Sequence, residues 1–160
     1  QFGVEHTVVG WLTAIPYALG AVVMLWWART ANRAQNRVPY VAAALVVAAV
    51  ALAASTALDA PVLKLAALCV TVSGILAFQA TFWAIPSTFL TGRAAAGGLA
   101  LIVSVGNLGG FVGPSMVGAI KQYSQGFTAP LLAVSAVLLI GALSIAWLGD
   151  PGADAGEATH

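Results

Sequence analysis

Apolar residues run along this chain in five blocks, at 7–27, 39–58, 62–85, 97–120 and 129–148, with short polar stretches between them. Each block is close to the roughly 20 residues that a helix needs to cross the hydrocarbon core of a bilayer. A helix on the surface of a soluble protein keeps one polar face, and these blocks do not. The pattern therefore predicts an all-α membrane protein, with a bundle of five transmembrane helices over 1–148. The remaining stretch, 149–160, reads GDPGADAGEATH; it is acidic and poor in large apolar side chains, which predicts a disordered tail.

The stretch from Phe78 to Gly118 departs most from a plain apolar run, and it predicts a helical hairpin with Pro86, Gly92, Arg93, Gly97 and Gly98 in its loop. In the second arm Gly106, Gly109, Gly110, Gly113 and Gly118 crowd around Asn107. In water each glycine would cost a helix roughly 1 kcal/mol relative to alanine. In a membrane the four-residue spacing of Gly106 with Gly110, and of Gly109 with Gly113, strips side chains from one face and lets a neighbouring backbone approach. Such a face serves helix packing. With Pro114 interrupting the helix, it also fits a segment that bends or rocks beside a binding cavity.

Composition sharpens the class. At 61% hydrophobic and 7% charged residues, with a mean hydropathy of +0.96, the chain lies far outside the range of soluble domains. A net charge of +1 points neither to nucleic acid nor to surface attachment on anionic lipid. Cys69 stands alone in an apolar run and reads as a small buried hydrophobe. No span carries Asp, Glu, Lys, Arg or His near its middle, so these helices offer no proton relay of their own. HExxH, CxxC, acids paired at catalytic spacing and a phosphate-cradling loop are missing, and no histidine or lysine lies within a span to activate a serine. The expectation is a protein that is not an enzyme and uses no cofactor or metal.

Positive charge predicts orientation. Arg29, Arg33 and Arg37 follow the first span and Arg93 follows the third, whereas the opposite side has only Lys64 and Lys121. Four against two favours the arginine loops on the cytoplasmic side, with the tail there too and Gln1 outside. That arrangement, with no initiator methionine and no basic leader, suggests a fragment lacking an upstream portion. The arginines recur every fourth residue and would line one side if their loop were helical; they could then clamp a phosphate or the acidic end of a helix, although the topology signal already explains them.

Few polar residues remain inside the spans. Thr13 and Tyr17 lie four apart in the first, with Pro16 between them, and either faces a polar cavity or is tolerated by local rebonding. Trp26 and Trp27 read as an interfacial anchor, and Glu5 with His6 as a solvated pair. The second span, nearly all Ala, Val and Leu, reads as scaffold, and the fifth, with only Ser135 and Ser144, as peripheral. In the third span Gln79 and Trp83 share a helical face, where an amide and an indole N–H could line a cavity or glue helices together. Asn107 in the fourth span has the same two roles open to it.

The segments FWAIPSTFLTGRAAAGGLALIVSVGNLGGFVGP and TAIPYALGAVVMLWW, with the arginine loop that follows the latter, resemble the carboxyl-terminal half of major facilitator superfamily transporters, specifically the anion:cation symporter family. The resemblance covers nearly the whole chain and corresponds to helices eight to twelve of twelve. It implies two six-helix halves around a midplane site, alternating access, and proton-coupled uptake of small organic anions across the cell membrane. It also implies that Gln79, Trp83 and Asn107, with Tyr17 more weakly, contact the substrate. Two departures stand out. The loop ARTANRAQNR lacks the acid that the family commonly has there, and Val103 occupies a position where the family often has asparagine. The combined expectation is the carboxyl half of an organic-anion symporter, unable to transport without its amino-terminal half. The rival is a small membrane scaffold or assembly subunit that docks a partner helix on its glycine face.

Overall fold

The computed structural model describes residues 6–34, 36–86, 92–124 and 126–148, with side chains for 14–34, 36–86, 95–124 and 126–147. Five helices make up this part of the chain: α1 (His6–Arg33), α2 (Val38–Ala57), α3 (Pro61–Phe82), α4 (Gly92–Ser124) and α5 (Thr128–Leu148). Among the described residues four segments are long and apolar enough to cross a membrane: Val38–Ala57, Pro61–Phe82, Ala95–Ser124 and Thr128–Trp147. Expectations for Thr13, Glu5, the Arg93 side chain and the tail fall outside the described residues.

Helix ends differ from the apolar blocks for local reasons. α1 continues past Trp27 to Arg33, because Ala28 to Arg33 contains no Gly or Pro and leaving the apolar layer does not itself end a helix. α2 begins where the Asn36 side chain accepts a hydrogen bond from the Val38 N–H at 2.9 Å, with Pro39 in its first turn. Pro61 opens α3, which closes early. Its last turn tightens into bonds from Ala84 N–H to the Thr81 carbonyl and from Ile85 N–H to the Phe82 carbonyl, ahead of Pro86. α4 is longer at both ends than its apolar block and remains helical through Pro114. Proline cannot serve the carbonyl of Gly110, four residues back. One position along, the Ser115 hydroxyl donates to the Phe111 carbonyl at 2.9 Å.

The bundle is assembled around α2 and α3. α1 packs on α3, α5 packs on α2, and α4 joins more lightly through α5. The core is correspondingly rich in α2 residues: Val41, Ala44, Leu45, Ala48, Ala49 and Leu52 are all buried. The helix read as scaffold is thus the centre of the packing. Small residues let it fill that place. A Cβ on Gly74 of α3 would lie 2.9 Å from both the Ala44 carbonyl oxygen and the Ala48 Cβ. At Gly20 of α1 the added atom would meet Leu76 Cδ1 at 2.7 Å. α5 is tied in more firmly than a peripheral helix, because Ser135 is buried against α2. At the α4–α5 turn Lys121 Nζ stands 4.1 Å from the centre of the Phe127 ring, a cation–π contact.

The glycine-rich face of α4 is open. Nothing lies within 4 Å of a Cβ placed on Gly106, Gly109, Gly110, Gly113 or Gly118. None of the apolar window of α4 is buried inside the described bundle. The close approaches are made at Gly74, to the backbone of α2, and at Gly20, to the Leu76 side chain, since α4 meets little besides α5.

Candidate functional site

Most Ser and Thr hydroxyls of the described helices bond to a carbonyl of their own helix. Thr30, Thr71, Thr81, Ser115 and Ser144 each donate to the carbonyl four residues back, and Ser55 and Thr56 to the carbonyl three back. That local bonding makes them inexpensive in lipid and poor indicators of a site.

The two side-chain amides inside the apolar blocks behave differently. Gln79 and Asn107 are exposed on the bundle, and neither side chain has a hydrogen-bond partner among the described residues. Leaving such an amide in hydrocarbon costs roughly 2–7 kcal/mol. A face that carries one is suited to water or to further protein, not to lipid tails.

Trp83 follows α3 directly, with its N–H bonded to the Gln79 carbonyl at 3.4 Å, so the one-turn relation to Gln79 survives the early helix end. Its indole is 39% exposed and edges onto Phe82, ring centroids 5.5 Å apart. Tyr17 is 59% exposed, on the helix that packs against α3. Asn107, together with the exposed Val103 and Ser104, sits on α4, whose main contact is α5 and not α3. The structure therefore keeps Gln79 and Trp83 together and places Tyr17 on an adjoining helix. Asn107 is not brought to them by the described bundle.

The arginines divide. Arg29 and Arg33 are one turn apart on the last turns of α1, exposed and without an acidic partner among the described residues. Arg37 lies off that helix at the start of α2; it is half-buried and donates from Nη1 to the Ala84 carbonyl at 3.3 Å. It thus binds the α1–α2 connection to the end of α3, a role invisible in sequence because its partner is a backbone atom 47 positions away.

Two cavities were also not foreseen. One, of about 310 Å³, lies between α1, α2 and α3 and is lined by apolar side chains, including Leu19, Val23, Val47 and Val70, and by the Trp27 ring. The other, of about 400 Å³, is lined by Trp26, Arg29, Thr30, Arg33 and Tyr40. Among the described residues no group of His, Cys, Asp and Glu could hold a metal ion.

Comparison with known proteins places this arrangement. No family model and no solved structure matches the chain. Curated proteins do. It is 41% identical over 143 residues to a protein of Agrobacterium vitis named "Putative tartrate transporter", covering 89% of this chain and 32% of that protein. It is 40% identical over 142 residues to the "Quinolone resistance transporter" of Acinetobacter baumannii, covering 88% and 33%. The match to the "Inner membrane transport protein RhmT" of Escherichia coli (strain K12) is 33% over 135 residues, covering 84% and 31%. The chain thus spans about a third of the length of these relatives. All are named as transport proteins, in keeping with transport over catalysis. With its apolar helices, the chain is a multi-pass membrane segment homologous to part of proteins named as transporters.

Proposed function

We propose that the chain is the carboxyl-terminal part of a secondary transporter that moves a small organic anion together with protons by alternating access. The observation that carries this reading is the pair of unpartnered amides, Gln79 and Asn107, on open faces of otherwise apolar helices. Homology to transporters supports water and substrate as what meets them, and a relative named for tartrate makes a hydroxy acid the first anion to test. Gln79 and Trp83 contact the substrate from the end of α3 and Tyr17 from the neighbouring α1, with Asn107 joining from α4 across a cavity closed by the rest of the transporter. These side chains carry no charge, so they orient hydroxyl or ring portions of the substrate. A cation elsewhere in the complete protein neutralises the carboxylate, and the proton-carrying group lies there too. The open glycine face of α4 fits the same arrangement, as a surface covered by that remainder.

The decisive experiment is uptake into proteoliposomes by the protein in its full native length, with labelled tartrate and a panel of mono- and dicarboxylates, at imposed proton gradients. Saturable uptake of one carboxylate that collapses with the proton gradient is the expected result. Uptake of none of them, or uptake indifferent to the gradient, would remove the corresponding half of the proposal.

A further inference from the structure

We propose that the end of α1 and the groove beside it form a binding site for an anionic phospholipid, with the headgroup phosphate at Arg29 and Arg33 and an acyl chain between α1, α2 and α3. The two cavities adjoin through aromatic rings. Trp27 lines the apolar one, Trp26 and Tyr40 line the basic one, and the Trp27 centroid is 6.0 Å from that of Trp26 and 5.8 Å from that of Tyr40. One ligand with a charged head and an apolar tail spans both. A free phosphate or a soluble carboxylate would fill only the first.

Charge and polarity agree with that occupant. Arg29 and Arg33 stand one turn apart with no acidic partner among the described residues, a spacing that offers two guanidinium groups to one phosphate. The tail cavity presents almost only carbon, from Leu19, Val23, Val47 and Val70. Between them, the Trp27 indole nitrogen is buried with no hydrogen-bond acceptor. Tryptophan at the boundary between headgroup and hydrocarbon is placed to meet an ester carbonyl. A phospholipid carries its esters between phosphate and chains, and the Trp27 ring stands between the apolar cavity that it lines and the Trp26 and Tyr40 rings of the basic one. Arg37, by contrast, is engaged with the Ala84 carbonyl and takes no part.

The test uses the protein in its full native length, delipidated in detergent and titrated separately with phosphatidylglycerol, with phosphatidylcholine of the same chains, and with glycerol 3-phosphate. Native mass spectrometry reads the bound fraction. Phosphatidylglycerol is expected to bind at least several-fold more tightly than phosphatidylcholine, and glycerol 3-phosphate not to be retained. The double variant R29Q/R33Q should lose roughly five- to twenty-fold in affinity for phosphatidylglycerol and distinctly less for phosphatidylcholine, whose choline cation already offsets the charge of the phosphate. R29K/R33K should keep most of the preference, and Val47→Trp, which fills the groove, should weaken both lipids. Equal binding of the two lipids by the unaltered protein overturns the proposal without reference to any variant's folding. So does a preference that survives R29Q/R33Q, and so does retention of glycerol 3-phosphate as tight as that of the lipid, which would mean a free-phosphate site.

Discussion

The Ser135 hydroxyl of α5 donates to the Ala49 carbonyl of α2 across 2.7 Å, with both residues buried. The other Ser and Thr hydroxyl bonds among the described residues stay within one helix or turn; this one joins two helices. Hydrogen bonds between membrane helices contribute about 0.6 kcal/mol on average and up to about 1.7. Ser135→Ala should therefore lower stability by about 1 kcal/mol, whereas Ser144→Ala, which removes only a local bond on an exposed face, should change it little. Equilibrium unfolding in mixed micelles would measure the difference, and equal effects would deny Ser135 its bridging role.

Two buried glycines should respond unequally to alanine. At Gly74 the added methyl meets a backbone oxygen and a Cβ, neither of which can swing away, so α2 and α3 must separate, at about 1–3 kcal/mol. At Gly20 it meets the far end of Leu76, which can change rotamer. Thermal stability in detergent should fall clearly for Gly74→Ala and only slightly for Gly20→Ala; the reverse order would contradict the packing described.

Gly110→Leu provides a complementary comparison. Within the described bundle its side chain has open space. If the rest of the transporter covers that face, the substitution should leave the stability of this 160-residue chain unchanged yet impair assembly or uptake in the full-length protein. Normal uptake would mean that the face looks toward lipid.

Arg37→Gln should loosen the α1–α2 connection by about 1 kcal/mol, below the range for a fully buried charged hydrogen bond because the guanidinium is only half-buried. Proteolytic sensitivity near residues 34–37 should rise. Arg33→Gln, at an exposed residue, should leave it unchanged.

Substitutions at the proposed contact residues should separate recognition from folding. Trp83→Ala, Gln79→Ala and Asn107→Ala should each weaken substrate binding or change selectivity in the full-length protein while membrane insertion stays normal, since all three residues are exposed on the bundle. Calorimetric affinities unaltered in all three would leave them as packing residues for neighbouring helices.

Orientation is open to labelling. A cysteine placed at Arg33 is expected to resist a membrane-impermeant reagent in intact cells, and one at Gly126 to react. The opposite pattern would invert the proposed topology and put the tail outside.

Length and hydropathy were enough to determine that the chain folds as apolar helices, because in lipid each helix must satisfy its own backbone and every other arrangement is penalised before packing begins. Five apolar blocks correspond to five helices, with different ends, and the segments around Pro86 and Pro114 pointed to the transporter resemblance without any contact being known. Polar residues inside the blocks were equally legible, since an amide in lipid is conspicuous wherever it lies. What tertiary structure alone decided is which small residues are used and which cations are free. Among the described residues nothing meets the conspicuous glycines of α4, while Gly20 and Gly74, unremarkable in their sequence context, take the close approaches. Three evenly spaced arginines divide into a pair with no acidic partner among the described residues and a backbone tie. Periodicity places a residue on a face of its own helix; only the arrangement of the other helices determines whether that face meets a backbone, a lipid or nothing within the bundle.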